Sequence, residues 1–362
     1  MISFLRRIPP ALHSRAMLLW NLLIRSNARR SASGRAVWAA RRLTARARTS
    51  SRPLELRFAN ALGQPLIELQ WFAEEVEGLS SGHVRLRFFN HWTHTTNPRE
   101  ETTTIAGVAS ASADLCWAGT RAFGCLGVRS LDPLQAPLLF QEYESVDAVC
   151  RDALIDEMLE PLERIDLTGL AVLPGALRKP FSFTRRLIDP RDYEGARLRI
   201  HESVVADATY RALGAKAVLL SPAQMSYRPE TVVDGMDLQT AAIVSWGVSG
   251  SVTFNVNLWP RTLAFVASRK TFGWLGGPEQ ELLRTAAQNT LNRALAALAG
   301  QAERDRDELP ATVGIVLASD EQLARLRDQV EPVYDDLRRN RETRAGLEKV
   351  EALVARVSTV SA

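Results

Sequence analysis

Residues 175–200 read GALRKPFSFTRRLIDPRDYEGARLRI. The stretch opens on Arg178, beside Phe181 and Phe183, turns between Pro190 and Gly195, and ends on Arg199. Arg199 alternates with Leu198 and Ile200, so it lies on a strand whose apolar face points the other way. A guanidinium is permanently charged and binds a carboxylate through two parallel N–H groups. Two of them brought to one place, Arg199 and Arg178, make a carboxylate grip. For Arg178 a structural ion pair to Asp189 or Asp192 is an equal alternative.

The 362 residues allow two domains or one large two-lobed body. Apolar residues make up 46% and charged residues 24%, an ordinary globular balance. The net charge of +4 is misleading, because residues 1–50 carry eleven of the 45 basic residues and no acidic ones. The rest of the chain holds 34 basic against 41 acidic side chains and is mildly acidic. That excludes a nucleic-acid reading of the global charge. Cys116, Cys125 and Cys150 have neither metal spacing nor a framework of pairs, so buried thiols are expected. One pair could bridge in an oxidising compartment.

Within the leader, residues 1–52, the apolar run AMLLWNLLI (16–24) has the length of an export-signal core, interrupted by Asn21. The arginine-rich segment after it is atypical of such a signal, so two readings stand: a degenerate export signal or a disordered extension. The first cysteine is Cys116, so no lipid-anchored leader cysteine is expected.

Leu54–Asn60 alternates as a strand, a helix starts at Pro65, and a second strand runs His83–Asn90. Strand, helix and strand in that order imply a parallel pair with a right-handed crossover. The polar segment 90–108 reads as a loop at a cleft mouth, with Trp92 and Glu101 as weaker candidates for the site. His91, His94 and Glu101 lie close enough in sequence to raise a metal-dependent enzyme, but the spacing is not the helical His-Glu-x-x-His pattern. Arg121 follows a buried strand and a Gly-Thr corner, either facing a cleft or making an interlobe salt bridge.

A helix over Val204–Leu213 stops at Gly214. In FNVNLWPR (254–261), Asn255 and Asn257 are expected on one strand face; Asn257 and Trp259, with Trp246 upstream, are further cleft candidates. From Pro278 an amphipathic helix is expected to run to about Glu308, about 45 Å and long enough to cross two lobes. Pro332 is expected to split the helical segments that follow the last strand.

Three blocks together resemble the solute-binding proteins of TRAP transporters, the DctP-like dicarboxylate-binding family. They are LRFANALGQPLIELQWFAEEVEGLSSGHVRLRFF (56–89), the R-x-P, I-x-P-x-D-x-x-G and L-R-I elements of 178–200, and ALGAKAVLLSPAQM (212–225) followed by VVDG (232–235). The resemblance covers about residues 54–340. It implies a two-lobed α/β fold of the type II periplasmic-binding kind, with mixed sheets flanked by helices and a long interlobe helix. The lobes would be 53–175 with about 264–302, and 176–263 with about 303–345, followed by a helical tail at 346–362. It also implies that Arg199 is the ligand-carboxylate arginine and Arg178 the arginine supporting the same anion. After Val-Asp-Gly the family supplies a polar contact, often asparagine, where this chain has Met236-Asp237-Leu238-Gln239. His201-Glu202 follows Arg199 where a valine–proline pair is usual.

The function so implied is extracytoplasmic capture of a carboxylate ligand by a monomer that delivers it to TRAP membrane permease subunits. It would use no cofactor, metal or nucleic acid and catalyse no reaction. The alternatives are the metal-dependent enzyme above and a membrane-surface module recruited by the arginine leader.

Overall fold

The computed structural model describes residues 53–360. The leader, with its export-signal and extension readings, lies outside the described residues.

The strands are β1 (Leu54–Asn60), β2 (Val84–Asn90), β3 (Leu115–Gly119), β4 (Leu167–Leu173), β5 (Leu177–Ser182) and β6 (Arg197–Ile200). They continue with β7 (Lys216–Leu219), β8 (Gly235–Leu238), β9 (Gly250–Thr253), β10 (Trp259–Pro260), β11 (Leu263–Ser268) and β12 (Val313–Val316). Two mixed sheets result. The first has the order β2-β1-β3-β11-β4, and the second β12-β9-β5-β8-β6-β7 with β10 paired to β5.

β1 and β2 pair in parallel around α1 (Ile67–Leu79), as the strand–helix–strand pattern requires. β11 runs antiparallel between β3 and β4, where the chain returns from the second sheet to the first. In the second sheet β6 lies parallel between β7 and β8, with Arg199 opposite Val218 and Met236. Arg197 is exposed at the start of β6, while Leu198 and Ile200 pack into the core beneath the sheet. The connection into β6 is a single helical turn. Asp189 and Asp192 form its capping box around Pro190, and Gly195 leaves it with φ 68°.

Four expectations of secondary structure change. The 90–108 segment is a loop only as far as Arg99. From there α2 (Glu100–Ala109) begins, its acidic first turn favourable to the helix dipole and Ile105 and Val108 buried beneath it. Asn255 and Asn257 lie between β9 and β10 rather than on a strand. The Asn255 side chain instead accepts from the Ala318 amide at 2.8 Å and donates to its carbonyl at 2.7 Å.

The long helix is two. α5 (Gly277–Leu298) spans about 33 Å at 1.5 Å per residue. It packs on α1 and β4 of the first sheet, and Gly300, at φ 68°, separates it from α6 (Gln301–Asp307). A left-handed residue ends a right-handed helix, and glycine takes that conformation without a Cβ clash. Pro332 lies inside one helix, α7 (Asp320–Arg339), which tolerates it.

Between β3 and β4, α3 (Tyr143–Arg151) forms part of the first body; α4 (Val204–Ala212) covers the second sheet below α7. Helix α8 (Arg344–Val360) returns to α3, burying Leu347 and Val350. Cys116, Cys125 and Cys150 are free thiols; the first and last are buried as expected, whereas Cys125 is exposed. No helix among the described residues is long and apolar enough to cross a membrane.

Candidate functional site

The C-terminal ends of β6 and β8, the start of β5 and the corner after β3 surround an open recess with about 370 Å³ of empty space. Arg121, Gln135, Arg178, His201, Asp237 and Trp259 are among its walls. A second recess, about 240 Å³, shares His201 and is lined by Glu100, Glu101, Arg199 and Glu202. Residues of both sheets meet here, so the recesses lie in the gap between the two halves of the fold.

Arg178 does not pair with Asp189 or Asp192, which are engaged in the capping box and, for Asp189, with Arg325 at 2.7 Å. Its Nε donates to the Asp237 carboxylate and its Nη2 to the Asp237 carbonyl at 2.7 Å. β5 and β8 run antiparallel with Pro180 opposite Asp237, which brings the two side chains within reach. The Trp259 indole donates to the same carboxylate at 3.3 Å and stacks edge-on against Tyr210. Trp259 therefore lines the recess with one edge and belongs to the core with the other.

Arg121 is likewise neutralised. Its Nη2 donates to Glu101 at 2.7 Å, both partners lying in the first half of the fold, so this ion pair does not join the lobes. Gly119 at the end of β3 makes room for it, because a Cβ there would fall onto the Arg121 guanidinium.

Arg199 differs from both. It is 5% exposed and forms no ion pair among the described residues. Its Nη1 lies 2.7 Å from His201 Nε2 and its Nη2 3.2 Å from His201 Nδ1. A neutral imidazole carries a proton on one of these nitrogens, so only one accepts a hydrogen bond. Burial, then the Arg199 charge, holds His201 well below its ordinary pKa and keeps it neutral. The Arg199 Nε–H is buried with no acceptor among the described residues, as is the Nε–H of Arg121. Burial and then Arg178 pull the guanidinium down to about 10, still protonated near neutral pH. A buried cation with a free donor beside the smaller recess has the chemistry to receive an anion.

Of the remaining candidates, Asn257, Trp92 and Trp246 line neither recess, while Glu101 lines the smaller one. Asn257 uses both ends of its amide, accepting from Lys179 at 2.6 Å and donating to the Gln141 carbonyl at 2.9 Å. Trp92 packs edge-on against Phe89 and over Gly107. Trp246 ends a short helix, Thr240–Trp246, and is 47% exposed. Glu101 is committed to Arg121, and His91 rests its ring against Gly63. No three metal-ligating side chains converge among the described residues. Sequence reasoning raised Glu100 only as a neighbour of His91, His94 and Glu101 in the metal reading, and singled out none of His201, Glu202 and Asp237 as site residues. The signal for three of them was on the page: His201-Glu202 and Asp237 stand where the family pattern has other residues.

The family model for bacterial extracellular solute-binding protein family 7, DctP, matches residues 63–340. The chain belongs to that family. Family 7 proteins bind solutes and are not enzymes, which removes the metal-enzyme reading. Over 116 residues this family 7 protein is 32% identical to the C4-dicarboxylate-binding periplasmic protein DctP of Rhodobacter capsulatus. That match takes in 32% of this chain, and the chain spans only about a third (34%) of that relative's length.

Three solved structures illustrate the fold of family 7. A TRAP periplasmic solute-binding protein of Ralstonia eutropha with bound (S)-2-acetolactate superposes with a TM-score of 0.71 at 20% identity, covering 83% of this chain and 99% of its own. The sugar acid binding protein of Advenella mimigardefordensis, in complex with galactonate, gives 0.72 at 21% identity, covering 84% and 99%. The periplasmic ectoine-binding protein of Halomonas elongata gives 0.73 at 17%, covering 83% and 99%. At these identities the likeness establishes the two-lobed α/β fold.

Proposed function

We propose that this protein captures a small carboxylate-bearing molecule in the gap between its sheets and delivers it to a TRAP-type membrane permease, outside the cytoplasm and as a monomer. The observation that carries this is the Arg199 guanidinium, buried and without a carboxylate partner among the described residues while Arg121 and Arg178 each have one. A ligand carboxylate supplies the missing countercharge. Arg178 then acts less as a second ligand contact than as part of the fixed frame that holds the β5 and β8 ends. The names of its relatives agree in chemistry, since acetolactate and galactonate both carry a carboxylate.

On this reading residues 53–175 with about 264–302, and 176–263 with about 303–345, close on each other as lobes, and closure excludes water from the ion pair. A hydrogen bond to a charged group contributes about 1.5–3 kcal/mol. Two or three, with some apolar burial, reach micromolar affinity, about −8 kcal/mol. The test is calorimetry of the full chain against a panel of carboxylates, followed by Arg199→Lys. An ammonium keeps the charge but loses the fork, so affinity should fall about a hundredfold. Unchanged affinity in that variant would remove Arg199 from the site.

A further inference from the structure

The charges around the two recesses pair off until one of each sign remains. Arg121 is held by Glu101, Arg178 by Asp237 and Arg261 by Glu68, while Glu202 faces Arg99 at 3.5 Å. Arg199 has no ion-pair partner, as shown above. The half-buried Glu100 carboxylate has neither an ion pair nor a hydrogen bond among the described residues. Both groups line the smaller recess.

We propose that the ligand is a zwitterion: its carboxylate lies on Arg199, and a cationic N–H group carried a few bonds away donates to Glu100. This inference rests on the role of Arg199 and narrows the class of acid. A dicarboxylate would bring its second negative charge against Glu100, with no free guanidinium to receive it. A simple monocarboxylate would leave Glu100 without a partner when closure drives out water, so the carboxylate would stay buried unpaired or have to take up a proton, a cost that a cationic partner removes. A ligand of no net charge, with its two poles in the order that Arg199 and Glu100 set, satisfies both.

The electrostatics of Glu100 agree. Burial, and then Glu101, push its pKa up to about 7, against the opposing pull of Arg199 and Arg121; Glu202 also raises it, and His201 in the same recess is held neutral. A bound cation favours the ionised form, so binding a zwitterion releases the proton from Glu100. Affinity for a zwitterion should therefore fall as pH drops below about 7, by at most about tenfold per unit, and level off above it.

Thermal shift and calorimetry on the full chain test this with three four-carbon acids in millimolar excess: succinate, butyrate and 4-aminobutyrate, extended to longer and shorter amino acids and dicarboxylates. The expected result is that a zwitterion binds about tenfold or more tightly than the dicarboxylate of matched length. Glu100→Gln should abolish that preference and flatten the pH profile. A preference for dicarboxylates, a preference that survives Glu100→Gln, or no shift with any zwitterion would each overturn the inference. Arg199→Gln separates the two levels. If it abolishes binding while Glu100→Gln changes nothing, only the zwitterion fails; if it changes nothing, the carboxylate site fails with it.

Discussion

Glu202 crosses the gap between the two halves of the fold and meets Thr102 in the first turn of α2. The Thr102 hydroxyl donates to the Glu202 carboxylate at 2.8 Å and the Thr102 amide at 3.4 Å, with Arg99 at 3.5 Å. The carboxylate is almost fully buried, and the free amides of a helix N-terminus favour an anion there. Glu202 lies two residues past the end of β6 and three beyond Arg199, so the clasp and Arg199 sit at the same strand end. The Ala223 amide, bonded to the Thr95 carbonyl at 2.9 Å, is a second stitch across the same mouth.

Glu202→Gln should therefore loosen closure. A hydrogen bond to a charged group is worth about 1.5–3 kcal/mol, so apparent affinity should fall roughly ten- to a hundredfold for every ligand alike. Thr102→Val should do the same, and the double variant should lose little more than either single one. Additive losses by calorimetry would mean the two residues act separately.

Asp237 carries two donors, Arg178 and Trp259, in a site that is nearly closed to solvent. Asp237→Asn leaves a buried guanidinium without its countercharge, a loss of about 3–5 kcal/mol when one partner of a buried pair is removed. Urea unfolding of the unliganded variant should register it. The freed Arg178 adds a second unpaired cation to the recess, so succinate should gain affinity relative to butyrate. A variant as stable as the parent, with unchanged selectivity, would show that Arg178 finds another partner.

How much of this was readable beforehand depends on the range of the interaction. Period-two alternation predicts β1 and β2 to within a residue or so, because the pattern is local. Arg199 was legible for the same reason, as a charge flanked by Leu198 and Ile200. Helix α2 was not, since its threonine run carries a short apolar stripe, Ile105 and Val108, below what periodicity detects. The partner of Arg178 was not either. Asp237 is 59 residues away, and only the antiparallel register of β5 with β8 selects it over the nearer Asp189 and Asp192. The charge left on Glu100 emerges only after every other pair has been assigned in space.

Lys179 sits beside Arg178 but on the opposite side of β5, buried against Asn257 and over the Phe254 ring at 4.7 Å. Burial lowers its pKa from 10.5 to about 8, with Asp305 opposing. Between about pH 8 and pH 10.5 the unfolded chain keeps a proton that the folded chain has released. Stability from this group therefore rises with pH across that window, by at most about 1.4 kcal/mol per unit, and is flat below it. Lys179→Met should remove that rise, read as the difference in melting temperature between variant and parent at successive pH values. A difference that stays constant from pH 7.5 to 10, about the width of that window, would place the lysine in contact with water.

Gly119→Ala tests whether the corner after β3 holds Arg121 for the recess or merely tolerates it. The added methyl would occupy the place of the guanidinium, which sits at the end of a flexible side chain and so swings away before the strand moves. That breaks the 2.7 Å contact with Glu101 and leaves a mostly buried carboxylate unpaired next to Glu100, on the same helical turn. Two uncompensated carboxylates then face the site that Arg199 serves, and binding of any acid should weaken by about tenfold or more. The conformational cost to β3 itself is small, because the residue is not in a left-handed region. In an Arg121→Ala background the same methyl should therefore be nearly silent. A Gly119→Ala loss that persists undiminished in that background would locate the damage in the strand rather than in the arginine.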